Sequence, residues 1–183
     1  MKPSTETPTQ TNEVVVTFLN LLLADEFVLY TKTRTAHWNV DGANYFELHV
    51  FLENQYNALD EIIDDTAEQI RSLGHFALGS LKDFLSLAQM SFRKDNFSNS
   101  GEIFETLRTD NKAIISMIQH EINPISDVFK DRSTAYFLTG LLGRHKKMAW
   151  MLRKFMSNPE FNKNKQTQRI NNQSVMYGNT PSL

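Results

Sequence analysis

The chain contains no cysteine, which excludes disulfides, thiolate metal sites and cysteine nucleophiles while leaving the redox compartment open. Breakers are scarce as well. Of five prolines, Pro3, Pro8, Pro159 and Pro181 sit near the ends, and Pro124 stands alone in the middle. With seven glycines in 183 residues, the interior reads as long helices. No stretch reaches the roughly 18 consecutive apolar residues of a membrane span, so no membrane partner is expected. The opening Met1 to Glu13 has no apolar run behind Lys2 and does not read as a secretory signal. Nineteen basic residues against 21 acidic ones give a net charge of −2, which argues against a surface built as a whole for nucleic acid. Forty per cent hydrophobic content over 183 residues suits one soluble domain.

What is present is helical periodicity. A first helix is predicted from Asn12, a candidate N-cap, to Trp38. Its stripe of Val15, Phe18, Leu19, Leu22, Leu23 and Phe27 is broad enough to imply burial on more than one side. A turn containing Asp41 and Gly42 leads to a second helix, Tyr45 to Leu73, closed by Gly74. A short amphipathic piece, Ser80 to Ala88, lies in the connector. A third helix runs from about Gly101 until Pro124 kinks or breaks it, and a fourth from Ser133 to Met156. The pattern predicts an all-α fold, a four-helix bundle with a long crossover connection carrying a short extra helix. Residues 1–12 and 158–183 read as flexible polar tails around a bundle of residues 13–157.

The second helix carries polar groups that packing does not require: His49, Glu53, Asp60, Asp64 and Glu68. At about 100° per residue, the first four lie within roughly 60° of one another and Glu68 roughly 100° from His49. A solvated face is the plain reading, but this one carries no Lys or Arg, whereas solvated faces usually mix signs. His49/Glu53 and Asp64/Glu68 are i,i+4 pairs, and such neighbours can chelate one ion. The two pairs lie roughly 22 Å apart along the helix, too far to share an ion within one chain. They can share one across a two-fold axis. The residue numbers of His49 and Glu68 sum to the same value as those of Glu53 and Asp64. An antiparallel copy centred near Ala58 and Leu59 therefore sets a histidine-containing pair beside an all-carboxylate pair. His37, at the end of the first helix, is a further candidate ligand. Imidazole and carboxylate without sulfur suit Fe(II), Mn(II) or Zn(II). The Glu-x-x-His spacing of bundle-core di-iron centres is absent, so a metal centre in the middle of the bundle is not expected.

His37-Trp38-Asn39-Val40-x-Gly42, then Phe46 to His49, then Asp64-Asp65-Thr66-Ala67-Glu68 resembles the signature of the Dps family, the ferritin-like DNA-protection-during-starvation proteins. Thr134 and Ala149-Trp150-Met151-Leu152 are similar to that family's last helix. The resemblance covers about residues 13–157, with successive spacings of twelve, four, eleven and four from His37 through His49, Glu53, Asp64 and Glu68. It implies a cytoplasmic homo-oligomer, a hollow dodecamer built from two-fold dimers. Such a shell would oxidise Fe(II), with hydrogen peroxide in preference to oxygen, and keep the ferric mineral inside. By position, Asp64 and Glu68 would bind iron from one subunit with His37 from its partner. His49 and Glu53 would bind or position a second ion or its water. Trp38 would be a sacrificial or electron-relaying aromatic, the alternative being a packed core Trp. Two departures stand out. The family usually has Asp where this chain has Glu53. Where it tends to place pore-lining Asp around Thr134, this chain has Arg132 and Tyr136, with Asp127 and Asp131 left as pore acids.

A nucleoid-associated, DNA-binding structural protein with weak or no oxidase activity is the alternative reading. Lys163, Lys165 and Arg169 in the C-terminal tail are its candidate DNA contacts, against Glu160 and a plain solubilising role. His75, His120 and His145 are expected on the surface or in loops. Gly140 and Gly143 are expected to permit close helix approach.

Overall fold

The computed structural model describes residues 8–41, 44–91 and 100–157. All regular structure among these residues is helical: α1 (Pro8–Asn39), α2 (Tyr45–Ser72), α3 (Leu81–Leu87), α4 (Ser100–Asn123) and α5 (Arg132–Met156). Helix α1 packs along α2, α4 packs along α5, and α1 also meets α4, while α3 lies against α1. This is the expected bundle with its crossover between α2 and α4.

Helix α1 starts at Pro8, so Asn12 lies inside it and does not cap it. Proline suits a first helical turn because its missing N–H would have no partner there. Its segment Asn12–Asn39 is long and apolar enough to cross a membrane, and 56% of its most apolar window is buried inside the bundle. Asp25, Glu26 and Lys32 are buried along the same helix. Lys32 Nζ pairs with Asp110 Oδ2 at 2.6 Å and donates to the Ser91 carbonyl. Asp25 Oδ1 accepts the Met90 N–H at 2.7 Å. Burial pushes the Asp25 carboxyl up, and the backbone N–H groups of Met90 and Gln89 pull it back. An apolar helix whose buried charges find ion-pair or hydrogen-bond partners belongs to the bundle's core.

Helix α2 buries Leu48, Leu52, Gln55, Leu59, Ile62, Thr66 and Ile70, which leaves its acidic residues on the other side. It ends where Gly74 takes the left-handed φ of 85°. The His75 N–H then closes onto the Ile70 carbonyl and the Gly74 N–H onto that of Arg71, as expected of a glycine just beyond a helix. Pro124 ends α4 without breaking the path of the chain. Residues Pro124–Val128 wind one π turn, closed by the Phe129 N–H on the Pro124 carbonyl at 3.0 Å.

Asp131 caps α5. Its Oδ1 accepts the Thr134 N–H at 2.9 Å and its Oδ2 accepts the Thr134 hydroxyl at 2.6 Å, so the carboxylate read as a pore acid is committed to a helix start. Thr134 Oγ1 in turn accepts from Gln69 Nε2 at 3.0 Å, which ties α5 to α2. Asp131→Ala is expected to cost about 1–2 kcal/mol, read as a lowered urea midpoint. An unchanged midpoint would show the cap to be dispensable.

Candidate functional site

The end of α1 and the start of α2 bring two histidines together. The rings of His37 and His49 stack with centroids 3.7 Å apart. His37 Nδ1 meets the His49 carbonyl at 3.0 Å, and His49 Nδ1 meets the His37 carbonyl at 3.0 Å. A carbonyl only accepts, so each Nδ1 carries the proton and each Nε2 is left with its lone pair. Two Nε2 donors are thereby oriented before any ion arrives, by the same outer hydrogen bond that orients metal-ligating histidines generally.

Aromatic residues frame the pair. Tyr56 sets its edge on His37 at 5.2 Å, and Tyr45 stacks on His49 at 5.1 Å. The Tyr56 hydroxyl reaches Glu53 Oε1 at 3.5 Å. The Arg34 guanidinium packs among the rings of Tyr30, Trp38 and Tyr56. None of Arg34, Tyr45 and Tyr56 was singled out from the sequence, although Tyr45 lies four residues before His49 and Tyr56 three after Glu53. Trp38 is 65% exposed, which removes the packed-core alternative for it within one chain.

His37 is buried, His49 half-buried, and Glu53, Asp60, Asp64 and Glu68 are exposed. One chain brings His37, His49 and Glu53 to one end of α2 and leaves Asp64 and Glu68 on the far half. Among the described residues no group of three or more His, Asp or Glu could hold a metal ion. The separation of roughly 22 Å along α2 accounts for this. Exposed apolar residues gather near the histidine end, namely Trp38, Tyr45, Phe46 at 73% exposure and Val50, beside the exposed polar residues Asn39, Asp41, Glu47 and Glu53. Arg144 of α5 pairs with Glu61 and Asp65 on α2.

Two expectations need correction. His145 is not a surface residue; it is 0% exposed, with its Nδ1 3.1 Å from Asn111 Oδ1 and its Nε2 3.5 Å from Glu26 Oε1. Glu26 is also 0% exposed. Burial pushes its carboxyl up, while His145 and Thr66 beside it pull it back. No local spacing could have shown this pair, because its members come from α1 and α5. Gly140 and Gly143 are exposed with open space where a Cβ would sit, so within the chain they serve no close helix approach. Asp131 is a helix cap, as described above. His120 is exposed beside Glu121 and His75 lies in the turn after α2, both as expected. Lys163, Lys165 and Arg169 lie outside the described residues.

Known proteins share this architecture. A ferritin-like domain model matches residues 16–161. A low temperature-induced protein of Nostoc sp. is 37% identical over 142 residues, 78% of this chain and 79% of its own length. DNA protection during starvation protein 2 of Bacillus anthracis is 31% identical, covering 80% of this chain and 99% of the relative. The crystal structure of a Dps protein from Vibrio cholerae superposes with a TM-score of 0.76 at 26% identity, over 81% of this chain and 92% of that one. It is described as a member of a broad superfamily of ferritin-like diiron-carboxylate proteins.

Proposed function

The chain belongs to the Dps family of ferritin-like proteins, and from that premise we propose that it oxidises Fe(II) at centres shared between two copies. Iron storage and DNA protection are the family's general work. Iron here is the substrate. The observation that carries the reading is the His37–His49 pair, whose two oriented Nε2 donors have no carboxylate pair of their own chain to complete a site. An antiparallel second copy supplies Asp64 and Glu68. The exposed apolar residues around the histidines support the same arrangement, since a soluble protein gains by covering Trp38, Phe46 and Val50. Twelve such chains would close into the hollow shell that holds the ferric product.

Hydrogen peroxide is the oxidant in this proposal. Two Fe(II) ions give one electron each, the O–O bond breaks, and two protons are taken up as two waters leave. Paired ions thus avoid the one-electron step that would release hydroxyl radical. The chain's part is to hold both ions at once: imidazoles and Glu53 from one copy, Asp64 and Glu68 from the other. Carboxylates also favour the ferric product, because hard oxygen ligands suit the more highly charged ion.

The test begins with anaerobic Fe(II) loading of the assembled protein, followed by a peroxide pulse. Ferric absorbance is expected to rise faster than in protein-free buffer and to consume about two Fe(II) per peroxide. Particle mass is expected to be a multiple of the dimer. A rate equal to buffer would overturn the oxidase and leave a DNA-binding structural role; a monomer at working concentration would overturn the shared centre.

A further inference from the structure

One phenol beside the histidine pair has a base of its own. Tyr56 lies half-buried on α2, three residues after Glu53, and its hydroxyl donates to Glu53 Oε1 at 3.5 Å. Its ring sets an edge on His37 at a centroid distance of 5.2 Å. Tyr56 therefore touches two of the groups assigned to iron, one through its ring and one through its hydroxyl. On another side it meets Tyr30 edge-on at 6.1 Å. The Arg34 guanidinium lies over both phenols, 5.8 Å from the Tyr30 centroid and 5.3 Å from that of Tyr56, and donates to the Tyr30 hydroxyl.

These contacts fix how Tyr56 can react. A cation held over the ring opposes positive charge that develops there. The ring therefore gives up an electron only if its proton leaves in the same event, so that a neutral radical remains. Glu53 Oε1 is in place to accept that proton, and long hydrogen bonds in a reaction site commonly tighten once substrate is bound. Among the aromatic residues that frame the histidines, the described hydrogen bond to a carboxylate is that of Tyr56. Trp38, at 65% exposure, packs on Arg34, and Tyr45 stacks on His49.

Given the Fe(II)–peroxide reading, on which this rests, we propose that Tyr56 is a reserve electron donor for a centre that holds a single Fe(II). One ion has one electron to give, and peroxide cleaved by that electron alone releases hydroxyl radical. Tyr56 supplies the second electron. The O–O bond and the phenolic O–H bond both break, and Fe(II) becomes Fe(III). The Tyr56 proton, passed through Glu53 Oε1, and one proton from solvent complete two waters, and a neutral tyrosyl radical remains. A later Fe(II) gives its electron to that radical, which takes up a proton and becomes tyrosine again.

The test uses the assembled full-length protein, loaded anaerobically with fewer Fe(II) ions than chains, given a peroxide pulse and freeze-quenched for EPR. A tyrosyl radical signal is expected, narrowed when the protein carries ring-deuterated tyrosine. It is expected to be lost in Tyr56→Phe, where a spin trap collects hydroxyl radical instead, and to be retained in Trp38→Phe. Excess Fe(II) is expected to suppress it, since each centre then holds two ions. A signal that persists in Tyr56→Phe, disappears in Trp38→Phe or ignores the deuterium would overturn the assignment. So would a fast ferric rise at full loading without any radical at low loading, an outcome that leaves the oxidase standing. A ferric rise no faster than buffer at full loading removes the oxidase, and the reserve role with it. Should Tyr56→Phe fail to assemble, deuterium labelling of the unaltered protein and the Trp38→Phe variant decide.

Discussion

Asp64→Ala is expected to abolish the fast phase of Fe(II) oxidation, lowering its rate by about 100-fold or more. Replacing residues that only orient a metal ligand already costs about 10–100-fold, and Asp64 is assigned as a ligand itself. His37→Ala is expected to do the same from the opposite side of the seam. Mixing the two inactive proteins is more informative. When the subunits are dissociated together and reassembled, half of the dimers pair one variant with the other. Each such dimer contains one centre with both Asp64 and His37 intact and one with neither. Activity should therefore return to about a quarter of that of the unaltered protein. Stopped-flow ferric absorbance reads the result. Centres contained within single chains would give no recovery on mixing, and that outcome would refute the shared arrangement. Glu53→Asp, which restores the residue usual in the family, is the natural companion measurement at the second ion.

The other large effect concerns stability. His145→Ala leaves the Glu26 carboxyl in a fully buried place without the imidazole that faces it. Removing one partner of a buried pair costs about 3–5 kcal/mol, because the remaining charge is neither solvated nor compensated. Replacing Glu26 and His145 together by Leu and Phe is expected to recover most of that loss, since apolar residues of similar volume leave nothing orphaned. Urea midpoints of equally assembled samples make the comparison. A loss under about 1 kcal/mol in His145→Ala would mean that Glu26 finds another partner or opens to water.

The legible and illegible parts of this chain divide by how local the signal is. The bundle, its crossover and the Gly74 stop follow from periodicity and breakers inside single helices. His49, Glu53, Asp64 and Glu68 stand out for a similar reason: regular spacing on one helix face marks them as candidate ligands although the two pairs lie far apart, and their joining across two copies is the proposed arrangement. His37 is a candidate from its place at the end of the first helix, its pairing with Asp64 and Glu68 comes from the resemblance, and the structure seats it on His49 through two reciprocal hydrogen bonds to backbone carbonyls. His145 was misread because its partners come from other helices: Glu26 from α1 and Asn111 from α4. No carboxylate at a chelating spacing marks it. Asp131 has a further role that the sequence reading did not assign to it. Its sequence position suited a pore, but an Asp three residues before Thr134 is also the pattern of a helix cap, and both carboxylate oxygens are used there.

Arg144 has a wider electrostatic effect than its two ion pairs suggest. By binding Glu61 and Asp65, it offsets one of the two negative charges on that flank of α2 and leaves the strongest negative potential on the strip that includes Asp60, Asp64 and Glu68. Two copies approaching along that strip repel each other until counterions gather between them. At about 10 mM salt the repulsion reaches roughly 30 Å, and at physiological salt only about 8 Å. Docking of one chain on another is therefore fastest in salt or with divalent ions present, and slowest in dilute, chelated buffer.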